Sequence, residues 1–226
     1  LNVVVLDSAV SKYVTQSSIN EYLYISGYDI VGNKFKNIDL AKLKKELDKE
    51  FYIKEVDIYR SENGVIEVKV TQKIPIARIY TLSGLSFYID VEGTFLPISK
   101  NYASYVPVFN GNIPQPDDSC FVHRHNVSDT FYIKTVYKEI YDLTMLLRKN
   151  NFLKFIIDQI YVAPENEYEM IPKIGDFLIM FGNIEDAEIK LRNLEAYFKE
   201  GAPKLGWNRY SSINLKYTNQ IVCTKK

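Results

Sequence analysis

Two alternating runs meet at Asn63-Gly64, and that meeting dictates more of the fold than any other stretch of the chain. In Ile53-Lys54-Glu55-Val56-Asp57-Ile58-Tyr59-Arg60, Val56 and Ile58 share one face of a strand while Glu55 and Asp57 share the other. Val65 to Gln72 repeats the pattern, with Ile66, Val68 and Val70 inward and Glu67, Lys69 and Thr71 outward, so Lys69 faces Glu55 or Asp57 across the pair. Asn-Gly takes the positive φ angles of a tight turn most easily, and the chain doubles back there. Upstream, Leu40, Leu43 and Leu47 recur at helical spacing after Asp39, with Lys42, Lys44, Lys45, Glu46 and Asp48 on the wet side. Downstream, Pro75 fixes φ and lacks an N–H, so Ile74-Pro75-Ile76 ends one sheet before another begins.

Val3 to Leu6 reads as a short strand that adds to this hairpin. Lys12 to Gly27 reads as a helix with Ser18 and Glu21 at capping-box spacing and Gly27 at its end. Gly32-Asn33 then turns the chain into the Asp39 helix. Residues 1–73 are thus β-α-α-β-β, two helices over a three-stranded sheet, and residues 74–226 form a second domain.

The 28 basic and 28 acidic residues cancel, and no basic run stands out, which argues against nucleic acid or an acidic membrane surface as partner. Eighteen Tyr and twelve Phe favour strands, so the expected class is α+β. No run reaches the roughly 18 uncharged apolar residues of a membrane span. The start at Leu1, without an initiator Met, points to a chain trimmed at its N-terminus. Cys120 and Cys223 make no disulfide framework and are read as unpaired thiols.

In the second domain, Phe87 to Phe95 forms a hairpin around Asp90-Val91-Glu92-Gly93, and Val106-Pro107-Val108-Phe109-Asn110-Gly111 a short strand. Asp129 to Asn150 is a covering helix with Val136, Ile140, Leu143 and Leu147 at the 3.6 period. Ile157–Val162, Tyr168–Ile171 and Phe177–Phe181 make an antiparallel meander. A second helix carries the stripe Ala187, Leu191, Leu194, Phe198 and stops at Gly201-Ala202-Pro203. Ser212 to Cys223 closes the chain as one edge strand, with Ile213, Leu215, Tyr217 and Ile221 inward.

Few residues suggest chemistry. His123 and His125 lie two apart near Asp117 and Asp118, but the pair lacks the third placed ligand of a zinc site, and a solvated polar loop is the stronger reading. No Gly-x-Ser-x-Gly elbow, phosphate-cradling Gly loop or His-Glu-x-x-His pair occurs, which argues against an enzyme and calls for no cofactor. Glu165/Glu167 and Glu185/Asp186 fall in a turn and at a helix start, where carboxylates are at home. Trp207 with Tyr210 reads equally as a binding platform or as the plug of a returning loop.

The order of these pieces resembles the extracytoplasmic region of FtsQ/DivIB cell-division proteins, of Bacteroidetes type. The motifs that carry it are β-α-α-β-β, the exit Ile74-Pro75-Ile76-Ala77-Arg78, the Asp-x-x-Gly hairpin at Asp90–Gly93, Val106-Pro107-Val108 and the closing helix and strand. The resemblance implies a small POTRA domain followed by a larger mixed, mainly antiparallel β domain with two covering helices. It further implies a non-catalytic divisome scaffold, anchored in the inner membrane by a single N-terminal span and facing the periplasm. There it would recruit FtsB and FtsL by strand addition to its last strand. The matching partner-binding positions are Lys216, Tyr217, Thr218 and Asn219, with Gln220, Ile221 and Val222 continuing the edge. Lys216 stands where better-studied members have Arg, which removes a bidentate fork. Two alternatives stay open: a POTRA module of outer-membrane protein assembly, and a periplasmic hydrolase using His123 or His125.

Overall fold

The computed structural model describes residues 2–6, 12–28, 38–61, 65–100, 102–117, 119–217 and 220–226. The chain divides into two compact units, Leu1–Ile74 with Ile98–Ser104, and Pro75–Pro97 with Tyr105–Lys226. The turns expected at Gly32-Asn33 and Asn63-Gly64 lie outside the described residues.

In the first unit, β1 (Asn2–Val5), β2 (Ile53–Arg60) and β3 (Ile66–Gln72) form a three-stranded sheet in the order β1-β3-β2. β1 runs parallel to β3, and β2 runs antiparallel to it, with Asp57 opposite Lys69 as the alternation requires. Helices α1 (Gln16–Ile25) and α2 (Leu40–Leu47) bury Ile19 and Leu23, and Leu43 and Leu47. Asp39 caps α2 by accepting from the Ala41 and Lys42 amides at 3.0 and 3.1 Å. The cap of α1 corrects the sequence reading: Thr15, not Ser18, starts it. The Ser18 amide donates to Thr15 Oγ1 at 3.0 Å while the Thr15 amide donates to Ser18 Oγ at 2.8 Å. Ile98–Ser104, which the sequence reading grouped with the second domain, lies in the first unit. There Tyr13 stacks on Tyr52 at 3.9 Å, meets Tyr102 edge-on at 4.9 Å, and accepts the Ser104 amide at 3.0 Å.

The second unit holds β4 (Pro75–Tyr80), β5 (Ser86–Asp90), β6 (Phe95–Pro97), β7 (Val108–Gly111), β8 (Ile157–Ala163), β9 (Glu167–Pro172), β10 (Leu178–Gly182), β11 (Tyr210–Asn214) and β12 (Val222–Lys225). They form one nine-stranded sheet in the order β12-β11-β10-β9-β8-β7-β4-β5-β6. Pairing is antiparallel except at β4–β7, β7–β8 and β10–β11. The architecture is therefore α+β, with a mixed, mainly antiparallel second sheet as expected. At the β5–β6 turn, Asp90 Oδ1 accepts the Glu92 and Thr94 amides at 2.9 and 2.8 Å, and Gly93 takes φ 86°, where a side chain is strained.

Two helices carry the apolar layer. α3 (Val136–Lys149) buries Ile140, Leu143 and Leu147 and anchors β9 by way of Glu139, which accepts the Tyr168 hydroxyl at 2.8 Å. It starts with the apolar period at Val136, seven residues later than the expected Asp129, because 129–135 form turns in which the Tyr132 and Ile133 amides bond to the Asp129 carbonyl. α4 (Ala187–Ala196) buries Ala187, Leu191 and Leu194, as the stripe predicts. Gly201-Ala202-Pro203 does not stop it. A π-helical turn over Tyr197–Gly201 widens the backbone, and α5 (Ala202–Leu205) continues with Pro203 in its first turn, where a missing N–H costs nothing.

Candidate partner-binding edge

β11 emerges from the core on Ile213, fully buried, and ends at Asn214. Asn214 Oδ1 accepts the Lys216 amide at 2.9 Å, a side-chain turn that diverts the backbone from the sheet. Leu215 stays inside, its amide donating to the Met180 carbonyl at 2.9 Å. Beyond it, the Gln220 amide reaches back to the Tyr217 carbonyl at 3.4 Å. β12 then runs antiparallel to β11, with Asn214 opposite Val222 and Ile213 opposite Cys223.

The expected single strand over Ser212–Cys223 is thus a correction: the segment is a hairpin, and β11 is an interior strand between β10 and β12. Lys216 and Tyr217 sit at the turn rather than on an extended rim. Thr218 and Asn219 lie outside the described residues, Gln220 and Ile221 lead into β12, and Val222 opens it. Ile221 and Cys223 pack partly against the core, and burial pushes the Cys223 thiol up. Val222, Thr224 and Lys225 face solvent. Tyr217, read as inward, points out and is 52% exposed.

Lys216 is not free. Its Nζ lies 2.5 Å from Glu167 Oε2 on β9, and its stem crosses Gly182, where an added Cβ would approach Lys216 Cγ to 2.9 Å. Gly182 has φ 77° and leads to Asp186, which begins α4. Below this turn Lys190 is buried, a residue the sequence reading passed over. Its ammonium donates to the Asn183 carbonyl at 2.9 Å and to Asn183 Oδ1 at 3.2 Å, and it stands over the Phe181 ring at 5.2 Å. Desolvation lowers its pKa, opposed by Asp186, Glu185 and Glu167. The available signal was position: Lys190 falls three residues after Ala187, on the buried side of the helix.

The other candidate groups have structural partners. His125 Nδ1 lies 3.0 Å from Asp129 Oδ2, which also accepts the Asn126 amide at 2.8 Å; that amide first, then the imidazole, holds the Asp129 carboxyl low. His123 stands 5.9 Å from His125 between ring centroids. Asp117 accepts from Ser119, and Asp118 lies outside the described residues. Among the described residues no three His, Cys, Asp or Glu side chains gather as a metal group. Trp207 packs 6.0 Å from Phe198, which favours the plug, with Tyr210 half-buried on β11. Both cysteines are thiols, Cys120 buried.

Residues 74–224 match the family model described as FtsQ/DivIB, C-terminal related. The chain belongs to this family. Residues 1–71 match a POTRA-like domain. The FtsQ/DivIB chain is also 22% identical over 191 residues to the Cell division protein FtsQ of Rhodothermus marinus. That alignment covers 82% of this chain and 65% of the relative, so the chain spans less than two thirds of that protein's length. Among the described residues no helix is long and apolar enough to cross a membrane.

Proposed function

We propose that this FtsQ/DivIB chain is a non-catalytic scaffold of the bacterial division machinery, and that it captures the periplasmic parts of FtsB and FtsL by adding a strand to β12. An N-terminal span outside this sequence would hold it in the inner membrane. The observation that carries the reading is the place of β12: it ends the nine-stranded sheet, and no described strand pairs with its outer side. Such a rim offers backbone N–H and C=O groups to an extended segment, and flanking side chains select the segment and its register. Tyr217, at the head of β12 and half exposed, offers a ring and a hydroxyl to the incoming chain.

The role of Tyr217 is that of a side-chain anchor at the mouth of the rim, not of a residue in the added ladder. Tyr217→Ala weakens binding of an FtsB/FtsL periplasmic pair by about 2–4 kcal/mol, the hot-spot range. Its exposure leaves the fold unchanged, which circular dichroism verifies. Equal affinities for native chain and variant in a calorimetric titration would remove the anchor.

A further inference from the structure

We infer that Glu167, on β9 and three strands in from β12, sets the charge preference at the rim by drawing the Lys216 ammonium inward across Gly182, so that an acidic partner residue competes with an internal carboxylate for it. The inference rests on the strand-addition reading and names a determinant that reading lacks. The Lys216 ammonium is 2.5 Å from Glu167 Oε2, and both side chains are partly exposed, at 34% and 41%. The amide bond to Asn214 fixes the Lys216 backbone, and the lysine stem passes over Gly182, whose missing side chain leaves it room.

Glu167, Glu185 and Asp186 all act on Lys190, with Lys216 the opposing cation, and the Lys190 ammonium is turned inward onto Asn183. Beside the matched Lys216, Glu185 and Asp186 are exposed carboxylates. An ammonium has three N–H donors and holds two carboxylates at once, but the second then sits beside the first and is repelled. Lys216 thus adds little to the capture of an acidic residue while Glu167 is charged. The same geometry favours partners that are neutral or basic at that register.

Titrating the FtsB/FtsL periplasmic pair against the native chain, Glu167→Gln, Lys216→Met and the double variant tests this, with circular dichroism and thermal midpoints as folding controls. Gln keeps the size and the acceptor oxygen but removes the charge. Where the partner presents a carboxylate at this register, Glu167→Gln tightens binding about two- to fivefold at low salt, the range of an exposed ion pair. The gain shrinks as salt is added and vanishes in the Lys216→Met background. With the partner carboxylate replaced by lysine, Glu167→Gln weakens binding instead. Unchanged affinity in both arms, or a gain that survives Lys216→Met, overturns the role of Glu167 and leaves strand addition standing. No binding by the native chain overturns both.

Discussion

The two rims of the nine-stranded sheet are finished in opposite ways. β6 is three residues long and ends in Pro97, and its outer side is closed by the chain itself. There the Phe95 amide donates to the His125 carbonyl at 3.1 Å, the Val127 amide to the Gly93 carbonyl at 2.9 Å, and Asn126 Nδ2 to the Glu92 carbonyl at 2.7 Å. Behind that seal, Phe95 packs fully buried against Phe87, Tyr132 and Tyr137. β12 has neither proline nor covering segment among the described residues, and Val222, Thr224 and Lys225 face solvent there. One rim is part of the core and the other faces solvent, so mutation is expected to cost stability at β6 and little stability at β12.

That contrast can be broken most directly at its strongest point. Phe95→Ala costs about 3–5 kcal/mol of unfolding free energy, since it empties an aromatic site that cannot collapse. Val222→Ala, on the opposite rim, stays within about 0.5 kcal/mol. Similar losses in denaturant unfolding would erase the distinction. A smaller effect sharpens it: Gly93→Ala places a Cβ 2.7 Å from Val127 Cγ2 at φ 86°, and costs about 1–3 kcal/mol by straining the seal itself. The smallest concerns acid. Asp129, beneath the seal, has its carboxyl held low in the folded state. A lowered folded value stabilises the fold above the unfolded carboxylate pKa, near 4, and that contribution is lost as pH falls through the folded value. Asp129→Asn therefore flattens the decline of the melting temperature below about pH 4, and an unaltered acid limb would assign the decline to other carboxylates.

Much of this was legible in the residues. Alternation and Leu spacing place β2, β3 and α2, and Asp90 with Gly93 announces the turn between β5 and β6. The hairpin at the candidate site was not legible, for a physical reason. Its turn has no glycine or proline, and Ile213, Leu215 and Ile221 point inward on both arms, so a period of two runs through the reversal undisturbed. The π-helical turn hid in a similar way, because Pro203 signals a stop unless the preceding turn widens to accept it. The Lys216–Glu167 pair joins residues 49 positions apart, and no local pattern encodes it. Tyr102 on Tyr13 likewise depends on the long-range path of the chain.

β7 has a consequence for how the second unit holds together. This short strand stitches the antiparallel set β4-β5-β6 to the rest of the sheet, running parallel to both neighbours. It shares four register pairs with β8 but two with β4, Arg78 with Val108 and Ile79 with Phe109. The fewest register pairs in the sheet therefore join β7 to β4, reinforced by the Arg78 amide donating to the Pro107 carbonyl at 2.9 Å, so the two parts of the sheet hang together by its shortest ladder, well away from β12.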